Sequence, residues 1–213
     1  MELEKKMKLY GIASSTCTGR VLLSLFEKEV EDFELWIVNV RKGEGKKPEY
    51  LKLQPFGLIP VLEDGDLTLY ESRAIIRYIA NKYEGQGTVL YGKDIKERAK
   101  VDQWLEVEGQ NFNSAIRSSL GVVSKPPVDE VQLTESFGKL GKVLDIYEDH
   151  LSKTQYLAGD FFSLADLSHM TTGWKLFDKY KQGSILFEGR PHVKAWWENI
   201  SSRPAFKKLL EMI

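Results

Sequence analysis

The spacing of apolar positions changes character along the chain. In the first 80 residues short alternating runs trade places with short helical stripes. KLYGIA, Lys8 to Ala13, predicts a strand, and Arg20 to Lys28 carries Val21, Leu22, Leu25 and Phe26 at helical spacing. FELWIVNV, Phe33 to Val40, returns to strand chemistry, so the three form a βαβ unit with parallel strands. After a lysine-rich loop and a short PEYLKL turn or helix, IPVLE and LTLYE flank Asp64, Gly65 and Asp66, the pattern of an antiparallel hairpin. Ser72 then opens a helix through Tyr83 with Ile75, Ile76, Ile79 and Tyr83 on one face.

EGQGTVLYGK, residues 84–93, has three glycines and no periodicity and reads as a linker. From Asp94 onward strand signals stop and four or five amphipathic helices follow, the first pair separated by the Pro-Pro stretch Lys125 to Asp129. FSLADL offers a capping box, Ser163 with Asp166, at the start of one helix. Val193, Trp196, Trp197 and Ile200 form an aromatic stripe of the kind that packs a core. The fold class is therefore α/β plus all-α: a βαβ-ββα domain over 1–83, a linker over 84–93, and a helical domain over 94–213.

Composition narrows the function by exclusion. Thirty basic and 31 acidic residues give a net charge of -1, which disfavours nucleic acid as a partner. The basic stretches KKMK near the start and Lys46-Lys47 read as solvated surface. One cysteine, Cys17, excludes an internal disulfide and, without a cleavable apolar leader, suits a reducing, cytoplasmic compartment. No apolar run approaches the roughly 18 residues that span a bilayer, so a soluble protein with no membrane partner is expected. His150, His169 and His192 are scattered, and no metal site is expected.

Candidate chemistry falls in three places. ASSTCTGR, residues 13–20, sets Ser14, Ser15, Thr16 and Cys17 at the start of the first helix, where hydroxyls cap free amides or donate to an anion, such as a small ligand's thiolate. In FGLIPVL, a cis bond before Pro60 would leave the Ile59 backbone able to pair with an extended peptide. In YESRAII, Ser72 reads as an N-cap and Glu71 as an exposed acid. Together they suit the zwitterionic end of an amino acid, carboxylate on Ser72 and ammonium on Glu71.

LYGIASSTCTGRVLL, KKPEYLKLQPFGLIPVLEDGDLTLYESRAIIRYIANKY, VDQWLEVE and YLAGDFFSLADLSHM together resemble a glutathione S-transferase over essentially the whole chain. KKPEYL, QPFG and ESRAI most resemble the plant phi class. The resemblance implies a thioredoxin-like first domain, a helical second domain, glutathione as substrate, no metal and a homodimer. It implies that Ser15, followed by Thr16 and five residues before Arg20, donates a hydrogen bond to the glutathione sulfur. It implies that Pro60 is the cis-proline, that Ile59 pairs with the cysteinyl backbone, and that Glu71 and Ser72 hold the γ-glutamyl group. Two positions depart from the pattern. Gly45 and Lys46 stand where His-Lys is frequent, leaving Lys46 alone for the glycyl carboxylate. Leu58 replaces a polar residue, leaving only its backbone for glutathione, and weaker glutathione binding is expected.

By position, Ile12, Phe112, Ile116 and Leu120 are candidates for the electrophile pocket, although the helical spacing of the last three equally fits an ordinary core. The expected activity is conjugation of glutathione to hydrophobic electrophiles, with reduction of organic hydroperoxides, in detoxification. Two alternatives stay open. One is a non-catalytic carrier of flavonoids or other hydrophobic ligands, since some phi-class carriers share the cysteine but have Ala at the Ser15 position. The other is a thiol transferase with Cys17 as nucleophile, its pKa lowered by the helix start.

Overall fold

A computed structural model describes residues 6–213, and Lys5 of the basic KKMK stretch lies outside them. The chain forms two compact units, one running through Val89 and rejoined by Pro204–Ile213, the other spanning Leu90–Arg203.

The first unit is built on a four-stranded mixed sheet in the order β2-β1-β3-β4. β1 (Met7–Gly11) pairs in parallel with β2 (Phe33–Ile37), Met7 opposite Phe33. β3 (Val61–Asp64) runs antiparallel to β1, Tyr10 opposite Val61, and to β4 (Leu67–Tyr70). The crossover helix α1 (Thr16–Glu27) buries Val21, Leu22, Leu23 and Leu25 completely and packs against α3 (Ser72–Lys82), which buries Ile75, Ile76 and Ile79. This is the βαβ-ββα order expected, with the hairpin formed at Asp64–Leu67 and with short α2 (Pro48–Leu51) on the loop between β2 and β3. α1 begins at Thr16, five residues before the first stripe residue Val21, because Ser15, not an apolar residue, sets its start. β2 ends three residues early, where Asn39 takes the amides of Arg41 and Lys42 and turns the chain.

The segment expected as a linker is tied down at its front. Thr88 donates its amide to Glu27 O at 2.8 Å and its hydroxyl to Glu27 Oε2 at 2.7 Å, while Lys28 Nζ donates to Thr88 O at 2.9 Å. Gly87, at φ +57, permits this: a Cβ there would stand 2.4 Å from Glu27 O. The last helix, α10 (Pro204–Leu210), groups with the first unit and not with the helices before it. It packs on α1, with Phe206 and Leu209 buried and Lys208 reaching both Glu31 and the ring of Phe26.

The second unit contains α4 (Ile95–Val107), α5 (Asn113–Val123), α6 (Glu130–Leu151), α7 (Leu164–Trp174), α8 (Gly183–Leu186) and α9 (Pro191–Ser201). α4 runs into α5 through a π-helical turn at Glu108–Phe112, and a second π turn at Lys175–Lys179 extends α7. Asp94 and Asp129 cap α4 and α6, each accepting two amides. The capping box forms as expected: Asp166 Oδ2 accepts the Ser163 amide at 3.0 Å, and Ser163 Oγ accepts from the first turn. The core is aromatic, with Trp104, Phe112, Tyr147, His169 and Trp196 in edge and stacked contacts. His169 Nδ1 donates to Ala165 O at 2.7 Å, so its Nε2 accepts the Tyr147 hydroxyl at 2.9 Å.

Candidate active site

Three loops at one end of the first unit carry the polar positions singled out in the sequence, and each is held by different physics. The first is the turn from β1 into α1. Ser15 N donates to Ile12 O at 3.0 Å, and Ser15 takes extended φ/ψ of -74° and 131° as the N-cap of α1. Its Oγ accepts the Thr18 amide at 3.4 Å. A hydroxyl in that role has used a lone pair and keeps its proton to donate. Thr16 and Cys17 are the first two residues of the helix, and Ser14 is exposed. Cys17 is a free, half-buried thiol whose Sγ lies 3.9 Å from Arg20 Nη1.

The second is the loop leading to β3. Ile59–Pro60 is a cis peptide, and the ladder begins only at Val61, so Ile59 stands ahead of the paired strand. Tyr50 and Gln54 hold this loop from below. The Tyr50 hydroxyl donates to Leu58 O at 2.7 Å, and Gln54 Oε1 accepts the Leu58 amide at 3.3 Å. Burial pushes the Tyr50 pKa up to about 12, which keeps it a donor. Ile59 packs on the cluster of Val38, Tyr50 and Val61. The Leu58 N–H, expected to be open to a ligand, is thus already committed to Gln54. What the residue presents is an apolar side chain 55% exposed.

Lys46 Nζ donates to Phe56 O at 3.0 Å across Gly57. Beneath it Gly45 and Gly57 meet back to back. A Cβ on Gly45 would lie 2.4 Å from Gly57 O, and one on Gly57 would lie 2.6 Å from Gly45 O. Glycine at 45 is therefore part of the architecture of this loop, not merely a missing side chain.

The third is the start of α3. Glu71, not Ser72, is the N-cap; Ser72 is the first helical residue. Glu71 sits at φ +70°, ψ 106°, a region costly for a side-chain-bearing residue, and its exposed carboxylate makes no capping bond. The first bonds back to Glu71 O come from Ala74 and Ile75, so the Ser72 and Arg73 amides are outside the helical ladder. Ser72 is buried, and its Oγ accepts from Arg20 Nη1 at 2.8 Å. Arg20, Tyr50 and Gln54 were not singled out as site residues in the sequence. The signal for Arg20 was present as a guanidinium next to the apolar run Val21–Leu23, which demands a buried partner.

Residues 5–81 match the N-terminal domain of glutathione S-transferases and residues 115–204 match their C-terminal domain. The chain belongs to the glutathione S-transferase family. Over 199 residues this transferase is 49% identical to glutathione S-transferase F10 of Arabidopsis thaliana, covering 89% of this chain and 90% of that relative. It is 44% identical over 211 residues to a glutathione S-transferase of Hyoscyamus muticus, covering 96% and 98%. Among solved structures, poplar glutathione transferase F1 aligns with a TM-score of 0.90 at 47% identity over 98% of both chains. Maize glutathione S-transferase I, solved in complex with an atrazine glutathione conjugate, aligns at 0.86 and 39% identity over 98% of both. These relatives make the transferase a phi-class member.

The electrophile-pocket candidates separate. Phe112 and Ile116 have no exposed surface, and Phe112 stacks on Tyr147 and abuts His169. Both fill the core of the second unit, the packing reading of their helical spacing, because a side chain sealed from solvent offers no wall to a ligand. Ile12 and Leu120 remain half-exposed. Among the described residues no group of three or more His, Cys, Asp or Glu side chains converges to hold a metal, and no helix is long and apolar enough to cross a membrane.

Proposed function

We propose that this glutathione transferase joins the thiolate of glutathione to hydrophobic electrophiles, with Ser15 as the group that favours the thiolate. The observation that carries this reading is the Ser15 hydroxyl: seated at the N-cap of α1, it accepts from Thr18 and so has its proton left for a sulfur. A free thiol with a pKa of about 8.5 is only a few per cent ionised at neutral pH. Lowering it by about two units takes roughly 2.7 kcal/mol, which one charge-assisted donor and a helix terminus supply. The thiolate then attacks the electrophilic carbon and displaces its leaving group, with no covalent enzyme intermediate. Toward an organic hydroperoxide the same thiolate attacks the peroxide oxygen, releasing alkoxide; a second glutathione resolves the resulting sulfenic acid to disulfide and water.

The remaining roles follow the three loops. The cis Ile59–Pro60 segment leaves the Ile59 backbone ahead of the paired part of β3 for the cysteinyl backbone. Lys46, with donors left after Phe56 O, meets the glycyl carboxylate. Ser72 takes the γ-glutamyl carboxylate and Glu71 its ammonium group. Leu120 serves the acceptor site. The enzyme acts in detoxification as a cytoplasmic homodimer, and the units divide the labour, glutathione binding falling to the first and acceptor selection to the helices of the second.

The test is conjugation of an aryl halide, hydroperoxide reduction and thiol transfer in wild type, Ser15→Ala and Cys17→Ser. Ser15→Ala is expected to lower the first two by about 25-fold at neutral pH, the thiolate fraction falling from roughly three-quarters to about 3% when the two pKa units are lost. Retention of both in Ser15→Ala, or loss of thiol transfer alone in Cys17→Ser, contradicts the assignment.

A further inference from the structure

Arg20 is 1% exposed and among the largest fully buried side chains of the described protein. Burying a guanidinium is costly unless its donors are spent on fixed acceptors, and one of these acceptors is informative. Nη1 donates to Ser72 Oγ at 2.8 Å, joining α1 to the first residue of α3. A guanidinium has no acceptor atom and does not deprotonate, so the direction of this bond is fixed. Ser72 Oγ must accept from Arg20, and its own proton must therefore go elsewhere.

The neighbourhood supplies no alternative use for that hydroxyl as a cap. The N-cap of α3 is Glu71, whose side chain does not cap, and Ser72 is the first residue of the helix. A hydroxyl polarised by a cation on its lone pair is a stronger donor, and this one stands at the positive end of an 11-residue helix. That set matches a carboxylate and is wasted on a neutral group.

We propose that Arg20 is a positioning residue for glutathione: by donating to Ser72 Oγ it commits that hydroxyl to donate to the γ-glutamyl carboxylate. The proposal rests on the reading that Ser72 binds this carboxylate. Arg20 itself never meets the ligand. It acts on the far side of Ser72, and because it stands on the helix that Ser15 caps, one side chain sets the relation between the thiolate end and the γ-glutamyl end of the site.

A double-mutant cycle with two substrates tests this. KM and kcat are measured for glutathione and for 4-aminobutanoyl-cysteinyl-glycine, which lacks only the γ-glutamyl α-carboxylate, in wild type, Ser72→Ala, Arg20→Met and the double variant. Ser72→Ala is expected to raise KM for glutathione about tenfold, the loss of one hydrogen bond to a charged group. Arg20→Met is expected to raise KM for glutathione by a similar factor with kcat held within about twofold, to leave KM for the analogue unchanged, and to add nothing in the Ser72→Ala background. Arg20→Lys, which keeps the charge and a donor, recovers part of the loss; it carries the same cycle if Arg20→Met does not fold. Equal KM increases for both substrates, multiplication of the two single effects, or a fall in kcat with KM unchanged each overturns the proposal and leaves Arg20 a structural cross-link. An unchanged glutathione KM in Ser72→Ala overturns instead the reading beneath it.

Discussion

Leu58 and Gly45 both depart from the family pattern, and the structure gives them opposite prospects. Leu58 is exposed, and its backbone is already held by Tyr50 and Gln54. Gln in its place adds an amide to a free surface without disturbing packing. We expect Leu58→Gln to tighten glutathione by about 1 kcal/mol, near fivefold in Kd, by calorimetric titration; an unchanged Kd removes position 58 from the binding site. Gly45 cannot be repaired in the same way, since its Cβ would overlap the Gly57 carbonyl. Glu71 makes a third case. Its φ of +70° stores about 1–3 kcal/mol of backbone strain, and its exposed side chain returns no capping bond. Glu71→Gly is therefore expected to raise resistance to urea, by about 1 kcal/mol after the entropy cost of glycine, while glutathione KM rises. A variant both less stable and unimpaired in KM would show that the strain serves neither end. At this scale the sequence named candidates where a motif points to a residue, as at Ser15, Glu71 and Ser72. It did not name the partners of Arg20, Tyr50 and Gln54, which are fixed only by folding: Arg20 meets a residue 52 positions away.

Elements were legible where an apolar period runs unbroken. α1, α3 and the β3–β4 hairpin appear in sequence almost as they stand. The start of α1 was marked by the capping hydroxyls of residues 14–16 and not by apolar spacing, because Thr16 to Gly19 carries no large apolar stripe. The π turns at 108–112 and 175–179 were hidden for another reason: each widens one turn of a helix without changing its composition. Helix-to-helix approach is a matter of single atoms that no period reports. Gly173 on α7 faces Trp197 on α9, and a Cβ there would lie 2.6 Å from the indole ring. Gly173→Ala is expected to cost about 1–3 kcal/mol through overpacking despite the better helix propensity of alanine, lowering the melting temperature by about 3–10 °C. A melting point at or above wild type in a calorimetric scan contradicts this account of the α7–α9 contact.

On the scale of the molecule, acid sensitivity follows from how distant elements cap one another. The start of α9 has no side-chain cap of its own. Glu148 on α6 serves instead, accepting the Val193 amide at 2.9 Å, the His192 amide at 3.2 Å and the His192 ring at 2.6 Å. Burial alone would raise the Glu148 pKa, but these hydrogen bonds outweigh it and hold the group below the ordinary glutamate value. A depressed carboxylate contributes stability that is complete above its unfolded pKa and is lost as pH falls through the folded one. Glu148→Gln should thus be less stable than wild type at pH 7 by about 1 kcal/mol, the worth of a helix cap, with the gap closing below about pH 4. Urea midpoints across pH 3 to 7 give the comparison; a gap that is constant with pH excludes Glu148 as the source. The two-part architecture was readable from the loss of strand signals after Asp94, but the destination of the last helix was not, because an amphipathic stripe does not say which neighbour it will meet.

That helix gives the protein an order of events. α10 lies against α1, and Phe206 and Leu209 are buried only once it is in place. Residues 204–213 follow the helical unit in the chain, so on the ribosome the first unit waits, one face uncovered, while all 114 residues from Leu90 to Arg203 are synthesised. The unit begun first is completed only after the second has been made.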